Sequence, residues 1–393
     1  MINILHIVNS YSGNYPLLNG QASLDSSKFR TIVCYLSGAN DGNNGLEKQG
    51  CKAIYLSTDK KRARWYRYSI IAKINQLIEK ENIHIINCHR HRATAIGVAA
   101  SLLSNANPAI FSTIHGLGEA ETYRRKLRNF FLYKKLTGII CISHAVGEYV
   151  LKANRSLPAS KVTVIQNGIP FDAFLNPRAK SESREALLPG IIANHWFGTV
   201  GRLTAVKNQK TLIVSFAKLV EKVPDSILLI LGKGPLESEL KNLVERYNIT
   251  DKVFFLGFRT DIPEVLNALD IFVLPSLREG LSLSLLEAMA SGVPIIASRT
   301  GGIPEVFGAI EQGRLVDPLD IDRLALAMTE LISLPKKRLA ELGANARQRA
   351  VTDFTATRMT EGYERLFEKA YASSFTCEDD ELVKSSRCKA RES

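Results

Sequence analysis

The stretch IFVLPSLREGLSLSLLEAMASGVPIIAS, residues 271–298, contains two short apolar runs separated by a segment of helical period. The first run predicts a strand that ends at about Pro275, and a helix is predicted over residues 283–291. Gly292 and Pro294 end that helix, and PIIAS predicts the next strand. Strand, helix and strand in this order form a βαβ unit, so the stretch predicts a parallel sheet.

The same alternation extends over most of the 393 residues. Apolar runs such as INILHIVN, AIFSTIHG and SILLILGKG alternate with amphipathic stretches, for example residues 68–82 and 92–105. The chain is too long for one ordinary core. The sequence therefore predicts an α/β fold of two Rossmann-like doubly wound domains that face a shared cleft.

The domain boundaries follow from where the alternation weakens. The polar segment NPRAKSESREALLPG interrupts it, and the C-terminal residues lack an apolar pattern. The predicted organisation is a first domain over 1–175, a linker over 176–190, a second domain over 191–356, a helix over 357–371 that packs back toward the first domain, and a disordered tail over 372–393.

The net charge of +12 is confined to one half of the chain. Residues 1–175 contain 22 Lys and Arg against 10 Asp and Glu, whereas the remaining residues contain 29 of each class. The basic segments KKRARWYRY (60–68) and YRRKLRNFFLYKK (123–135) interleave cations with aromatic rings. That mixture suits an anionic lipid surface or a nucleic acid, and a solvated helix face is the alternative.

Cysteine usage and the N-terminus indicate a compartment. The six cysteines show no metal-ligand spacing and fit buried thiols in a reducing environment. The start MINILHIVNS does not resemble a signal peptide, and no apolar run reaches the roughly 18 residues of a membrane span. We expect a cytoplasmic protein whose contact with membrane, if any, is peripheral on the inner face.

Two loops of the second half combine cations and glycines after predicted strands. GRLTAVKN places Arg202 and Lys207 where both can reach one diphosphate, although a surface loop with two cations is the more common explanation. LILGKGPLESEL contains Gly232 and Gly234 but has Glu237 where GxGxxG needs a third glycine, so NAD binding is not favoured.

Two glutamates flank the predicted helix start in residues 271–298. Glu279 lies in the loop after the strand, and Glu287 lies just over one turn into the helix, so both can line one pocket mouth. The helix N-terminus between them favours an anion. For Glu287 the structural alternative is a capping box with Ser284, and for Glu279 it is a solvated pair with Arg278.

These motifs together resemble a known family. The E-x7-E spacing, EAMASGVPIIAS and GGIPE resemble the retaining nucleotide-sugar glycosyltransferases of family four, and GRLTAVKN, LGKGP and VIQNGIPFDAF resemble it as well. The likeness covers about residues 1–370. It implies the GT-B architecture, with the acceptor on the first domain, the nucleotide-diphosphate sugar on the second, and neither cofactor nor metal.

The resemblance also implies roles for individual residues. Arg202 and Lys207 would neutralise the donor diphosphate, Glu287 would bind ribose, and Glu279 would face the transferred sugar. The predicted catalytic residues are His115, Glu279, Arg202 and Lys207, and the predicted donor-binding residues are Gly13, Arg202, Lys207, Gly257, Phe258, Arg259, Glu279, Gly280, Leu281, Ser282, Leu283 and Glu287. The pair Asp320 and Asp322 is interpreted as a polar helix start and not as a metal site.

The first half carries one candidate of its own and one departure from the family. His115 follows an apolar run in STIHGLGE, where the resemblance implies contact with the sugar near the reacting carbon. The first loop, NSYSGNYPLLNGQASLD, has isolated glycines where a Gly-Gly turn is usual, so a phosphate contact through Gly13 is open. Since no residue near His115 is an obvious carboxylate nucleophile, we expect front-face transfer in which the leaving diphosphate takes the acceptor's proton.

Three classes of function follow from these residues. The first is a glycosyltransferase that extends a lipopolysaccharide core, O-antigen, capsule or glycolipid at an anionic membrane, with a soluble acidic or phosphorylated acceptor as its variant. The second is a nucleic-acid-binding protein on the same fold, which the absence of an RNA-binding motif disfavours. The third is an inactive scaffold, which the intact Arg202, Lys207, Glu279 and Glu287 disfavour.

Overall fold

The computed structural model describes residues 1–11, 16–57, 67–118, 122–175, 177–309 and 311–389. The chain divides into two units, each with a parallel sheet of its own. Unit 1 comprises Met1–Gln166 and the chain from Thr357 onward, and unit 2 comprises Asn167–Ala356. Among the described residues, no helix combines the length and the apolar character that crossing a bilayer needs.

Unit 1 contains a seven-stranded sheet in the order β3-β2-β1-β4-β5-β6-β7. The chain order reverses between β1 and β4, so their carboxyl ends flank a topological switch point, where α/β folds bind ligands. Its elements are β1 Ile2–Val8, α1 Pro16–Ala22, β2 Phe29–Tyr35, α2 Gly45–Lys48, β3 Lys52–Tyr55, α3 Arg67–Lys80, β4 Ile85–His89, α4 Arg90–Ser101, β5 Ala109–Ile114, α5 Tyr123–Lys134, β6 Gly138–Cys141, α6 His144–Ala153 and β7 Val162–Val164.

Unit 2 contains a six-stranded parallel sheet in the order β10-β9-β8-β11-β12-β13. Short 3-10 turns lie at Asp172–Phe174 and Ala205–Lys207. Its other elements are α7 Lys180–Leu187, β8 His195–Val200, α8 Gln209–Val220, β9 Ser226–Leu231, α9 Glu237–Arg246, β10 Val253–Gly257, α10 Ile262–Ala268, β11 Ile271–Leu274, α11 Leu283–Ala290, β12 Ile295–Ser298, α12 Ile303–Phe307, β13 Gly313–Val316, α13 Ile321–Ile332 and α14 Lys336–Asp353.

The strands at the centre of both sheets are apolar because helices cover both of their faces. Every residue of β4, β5, β9, β11 and β12 is buried. In unit 2 the core includes Phe197, Phe216 and Leu228 at zero exposure. Two parallel doubly wound sheets confirm the predicted fold class.

The segment predicted as a linker, residues 176–190, contains the helix α7. Its Arg184 donates to the Ala268 carbonyl at 2.9 Å and to Asp270 Oδ2 at 2.7 Å, and Lys180 Nζ donates to the Leu269 carbonyl at 2.7 Å. These bonds attach α7 to the end of α10 and the start of β11, all within unit 2. The polar composition resembled a linker because α7 is held by charged side chains and not by an apolar face.

The C-terminal helix α15 covers Ala356–Lys389, so it continues past the predicted end at residue 371 and through most of the segment predicted as a disordered tail. No glycine or proline follows Gly362 to interrupt it. Its first turns belong to unit 1, where the Phe367 ring lies 5.6 Å from the ring of Phe111. The buried side chains of this stretch recur at helical spacing: Met359, Tyr363, Phe367 and Ala370.

Candidate active site

Glu279 lies in the loop after β11, where it accepts two hydrogen bonds on one oxygen. Lys207 Nζ donates to Glu279 Oε1 at 2.7 Å, and Ser276 Oγ donates to the same atom at 2.6 Å. The two charged side chains are only 20% and 11% exposed. Partial burial shields this ion pair from water, so it is stronger than an exposed surface pair.

The loop after β8 is locked against the loop after β11. Asn208 adopts a left-handed backbone, with φ of 53°, and its Nδ2 donates to the Pro275 carbonyl at 3.1 Å. The Leu277 amide donates to the Val206 carbonyl at 2.8 Å. These bonds fix the backbone on both sides of the Lys207–Glu279 pair, so the two loops hold the pair in place.

Arg202 and Lys207, the two cations of GRLTAVKN, have different environments. Arg202 is exposed, and its guanidinium makes no hydrogen bond or ion pair with any residue that the structure describes. Its backbone carbonyl accepts from the Thr204 amide at 2.9 Å and from Gln209 Nε2 at 3.1 Å. Arg202 is therefore available to an anion, whereas the charge of Lys207 is already balanced by Glu279.

Glycines allow three loops to approach each other closely at this sheet edge. A Cβ on Gly232 would lie 2.0 Å from the Gly201 carbonyl oxygen, and a Cβ on Gly301 would lie 1.8 Å from the Glu279 carbonyl oxygen. Gly232 and Gly301 also have φ of +129° and +52°. The Gly302 amide donates to the Glu279 carbonyl at 3.2 Å, so GGIPE holds the backbone of Glu279 in place.

Glu287 is the fifth residue of α11 and is partly buried. Burial raises the pKa of its carboxyl from 4.5 to about 7. The predicted alternative of a capping box is wrong, because the N-cap is Ser282 and its hydroxyl lies 3.0 Å from Ser284 Oγ. The Glu287 carboxyl has no hydrogen-bond partner within the described ranges, so it is free to meet a ligand.

At the start of α11, no side chain of the described residues bonds the first backbone amides. The hydroxyl of the N-cap Ser282 lies against Ser284 Oγ and does not cap an amide of the helix. Gly280, Leu281 and Ser282 are buried, and Leu283 is partly exposed. The Leu281 carbonyl accepts from Asn167 Nδ2 at 3.4 Å. Free amides at a helix start favour an anion, as predicted from the sequence.

The segment Gly257–Phe258–Arg259 follows β10 at the same sheet edge. Gly257 has φ of +66°, and the Phe258 side chain is 71% exposed. Arg259 makes a two-point contact with Asp261, and that hydrogen bonding raises the pKa of the guanidinium. Arg259 is thus committed to Asp261, whereas the Phe258 ring is open to a planar group.

In unit 1, His115 follows β5 and is joined to two further histidines. His115 Nε2 lies 3.0 Å from His89 Nδ1, and His89 Nε2 lies 3.0 Å from His6 Nδ1. Burial lowers the pKa of His6 and of His115 to about 3 and lowers the pKa of His89 well below 6.5. His6 and His89 were not predicted as site residues, although His89 ends β4, which pairs with β5, and His6 lies toward the carboxyl end of β1, which pairs with β4.

Gly13 and most of the basic segment 60–68 lie outside the described residues. The second basic segment is helix α5, on which Leu127 and Phe131 are 49% and 62% exposed among exposed cations. Asp320 caps α13 by accepting from the Arg323 amide at 2.9 Å, which confirms the predicted polar helix start. Across the described ranges, no group of three or more His, Cys, Asp or Glu has a geometry suited to a metal ion.

Family models match both halves of the chain. Residues 24–173 match Glycosyltransferase Family 4, and residues 194–349 match Glycosyl transferases group 1. The chain is 30% identical over 327 residues to the UDP-Gal:alpha-D-GlcNAc-diphosphoundecaprenol alpha-1,3-galactosyltransferase of Escherichia coli, which covers 81% of each chain. It is also 30% identical over 246 residues to the lipopolysaccharide core biosynthesis mannosyltransferase LpsB of Rhizobium meliloti (strain 1021), covering 61% of this chain and 67% of that one.

The fold is shared with Anabaena Alr3699/HepE in complex with UDP-glucose, at a TM-score of 0.81 and 21% identity over 94% of this chain and 100% of that one. Two doubly wound units with this similarity define the GT-B class of glycosyltransferases. The chain belongs to glycosyltransferase family four, and it is a glycosyltransferase.

Proposed function

We propose that the chain is a retaining, metal-independent glycosyltransferase that moves a sugar from a nucleotide-diphosphate sugar to a cell-envelope glycan or glycolipid. The observation that carries the proposal is the sheet edge of unit 2, where exposed Arg202 and the free amides of α11 lie beside the held carboxylate of Glu279. Support comes from the E. coli relative, whose name specifies a UDP-sugar and a diphosphoundecaprenol lipid as its substrates.

The donor roles follow from charge. Because Lys207 is paired with Glu279, we assign the diphosphate mainly to Arg202 and to the amides of Leu281, Ser282 and Leu283. Lys207 then has two roles, since it orients Glu279 and adds positive potential near the phosphates. We assign the ribose hydroxyls to Glu287 and stacking of the base to the Phe258 ring, which is exposed.

The catalytic step is a front-face transfer. The bond from the anomeric carbon to the diphosphate oxygen breaks, the bond to the acceptor oxygen forms, and the acceptor proton passes to the leaving diphosphate. Lys207 and Ser276 fix the Glu279 carboxylate through Oε1, so we assign Glu279 to orienting the sugar and His115 to contacting a sugar hydroxyl. Mass spectrometric detection of a glycosyl ester on Glu279 would contradict this step.

Helix α5 supports a membrane-bound acceptor. Leu127 and Phe131 are exposed between the cations Arg125, Lys126 and Arg128, a mixture that suits an anionic lipid surface on the cytoplasmic side. We expect Phe131→Ser or Arg128→Ala to weaken binding to phosphatidylglycerol vesicles by about 1 kcal/mol each, and added salt to weaken it further. Ile192→Ser, at a 98% exposed residue of unit 2, is the control.

A soluble acidic or phosphorylated acceptor is the alternative, supported by the same cations. Binding to vesicles that is absent, or that salt leaves unchanged, would favour it. Retention of a nucleic acid in a gel-shift experiment at moderate salt would instead favour the nucleic-acid-binding class.

The donor assignment is tested by a screen of nucleotide sugars that measures thermal stabilisation and hydrolysis in the presence and absence of EDTA. We expect one donor to stabilise the wild type, Glu287→Gln to weaken that effect, and EDTA to leave it unchanged. Lys218→Ala is the matched control, because Lys218 pairs with Asp322 away from these loops. Equal responses of wild type and Glu287→Gln to every donor would show that the site is wrongly assigned.

A further inference from the structure

Three histidines from three neighbouring strands form a continuous hydrogen-bonded chain in unit 1. Strands β1, β4 and β5 are adjacent, and their register places His6 opposite Asn87 and His89 opposite Thr113. Successive rings are stacked, with centroids 5.3 Å apart in both pairs. We name this set the histidine chain: His6, His89 and His115.

The environment keeps the histidine chain uncharged. His6 is fully buried and His89 is 4% exposed, and their burial opposes protonation. The Arg90 cation further lowers the pKa of His89 and of His115. A neutral imidazole has one N–H donor and one acceptor nitrogen. All hydrogen bonds along the histidine chain must therefore be donated in the same direction.

The histidine chain is not arranged as a metal site. Both nitrogens of His89 are used in hydrogen bonds to the other two rings, which leaves no lone pair for a cation. The two terminal nitrogens, His6 Nε2 and His115 Nδ1, are buried atoms without a hydrogen-bond partner among the described residues. These two nitrogens lie at opposite ends of the histidine chain, so they do not converge on one point.

Only two arrangements of protons satisfy both internal hydrogen bonds. In the first, every ring carries its proton on Nδ1, and His115 Nδ1–H is the free donor. In the second, every ring carries its proton on Nε2, and His6 Nε2–H is the free donor. Both terminal nitrogens are buried, but His6 is buried as a whole residue whereas His115 is partly exposed as a residue. A ligand that contacts His115 can therefore accept from its Nδ1–H, whereas no described residue accepts from His6 Nε2–H, and a buried N–H without an acceptor is costly.

We propose that His6 and His89 are positioning residues that hold His115 in the Nδ1–H tautomer, so that His115 donates a hydrogen bond to a hydroxyl oxygen of the sugar substrate. The role of the sugar rests on the function proposed above, whereas the tautomer does not. His115 is then a fixed neutral donor and not an acid or a base. Because each ring polarises the next, removal of His6 weakens the N–H donor of His115, which lies two rings further along the histidine chain.

The backbone beside the histidine chain is held in an uncommon conformation. Arg90, which follows His89 directly, has φ of +70°, a left-handed value that is strained for a residue other than glycine. Such strain persists where the surrounding contacts over-determine the geometry, and it clusters at functional sites. The Arg90 carbonyl is held by Thr94 Oγ1 at 3.1 Å, so the turn that carries His89 is fixed from the helix side.

The test is nitrogen-15 NMR on histidine-labelled protein, which reports the tautomer of each ring without substrate. We expect His6, His89 and His115 all to show a protonated Nδ1 from pH 8 to pH 5.5. His6→Leu removes the donor to His89, and we expect His115 to become a mixture of tautomers. His6→Asn places an amide N–H near the position of Nδ1, so it restores the wild-type signals. His84→Asn, outside the histidine chain, is the control.

Activity gives the second readout. We expect His6→Leu to lower kcat for glycosyl transfer about tenfold, the size of one hydrogen bond, with the KM for the nucleotide sugar unchanged and His6→Asn near wild type. A protonated Nε2 on His115, or equal behaviour of His6→Leu and His6→Asn, would overturn the proposal. If the three rings show Nδ1–H but no nucleotide sugar shifts their signals, the proposed function fails and the tautomer assignment stands.

Discussion

The two candidate regions of this glycosyltransferase use opposite electrostatic designs. In unit 2, Lys207 and Glu279 lie in loops after strands and keep full charges that balance each other at 2.7 Å. In unit 1, the histidine chain lies within and just after strands, and burial keeps its rings neutral. Charged groups suit the diphosphate and the leaving group, whereas a neutral donor suits a sugar hydroxyl, which carries no charge.

Breaking the ion pair of unit 2 is expected to have the largest effect. Lys207→Ala leaves the partly buried Glu279 carboxylate without its cation and removes positive potential near the diphosphate. We expect kcat for glycosyl transfer to fall on the order of 10²- to 10³-fold in steady-state kinetics. Lys210→Ala is the control, because Lys210 and Glu239 are 64% and 60% exposed and 3.9 Å apart. A fall of less than about threefold for Lys207→Ala would show that the pair is only structural.

Acidification is expected to destabilise unit 1, which contains the histidine chain. The pKa values of the histidine chain are lowered in the folded state, so below 6.5 the unfolded chain binds protons that the folded chain does not. Stability present above pH 6.5 is therefore lost as the pH falls, by about 1 kcal/mol per histidine between pH 6.5 and 5.5. Hydrogen exchange of peptides from β1, β4 and β5, corrected for the intrinsic rate, measures this loss.

Unit 2 is the internal control for that experiment, because it contains one histidine, His195. We expect its strand peptides to show no loss of protection over the same range. Equal losses in both units would mean that the histidine chain is not the cause.

Glu287 gives unit 2 the opposite dependence on pH. Its folded pKa is raised to about 7, so the folded state holds a proton that the unfolded state releases near 4.5, and stability falls as the pH rises through this window. We expect Glu287→Gln to stabilise unit 2 at pH 8 by about 3 kcal/mol and to have no effect at pH 4. Thermal unfolding at both pH values checks this. Destabilisation by Glu287→Gln at pH 8 would show that the carboxylate has a structural partner.

The smallest expected effect concerns the backbone that carries Glu279. Gly301→Ala would place a Cβ 1.8 Å from the Glu279 carbonyl oxygen, so the loop must shift and move the carboxylate. Gly190→Ala is the matched variant, because Gly190 has φ of +72° with nothing within 4 Å. We expect Gly190→Ala to lose about 1 kcal/mol of stability through backbone strain, and Gly301→Ala to lose more because its Cβ also overlaps the Glu279 carbonyl. Only Gly301→Ala should lower kcat, by about tenfold. Equal kcat values for the two variants would show that the GGIPE loop does not position the Glu279 carboxylate.

Some features of the candidate site were predictable because they are local. Hydrophobic periodicity indicated where β11 ends and α11 begins, and that spacing placed Glu279 in a loop and Glu287 on a helix. The cations of GRLTAVKN were likewise placed after β8. The segment 176–190 was misjudged because the contacts of α7 to the Ala268 carbonyl and Asp270 are long-range, and a polar composition does not reveal them.

The sequence by itself determined two doubly wound domains, the family, and the strand-end loops that carry Arg202, Lys207, Glu279 and Glu287, because side-chain periodicity and turn residues act over short distances. The tertiary structure decided the partners. Lys207 meets Glu279 across 72 residues, His6 meets His89 across 83, and His89 meets His115 across 26. Strand order and register set those pairings, and both are properties of the assembled sheet, which no short stretch of chain encodes.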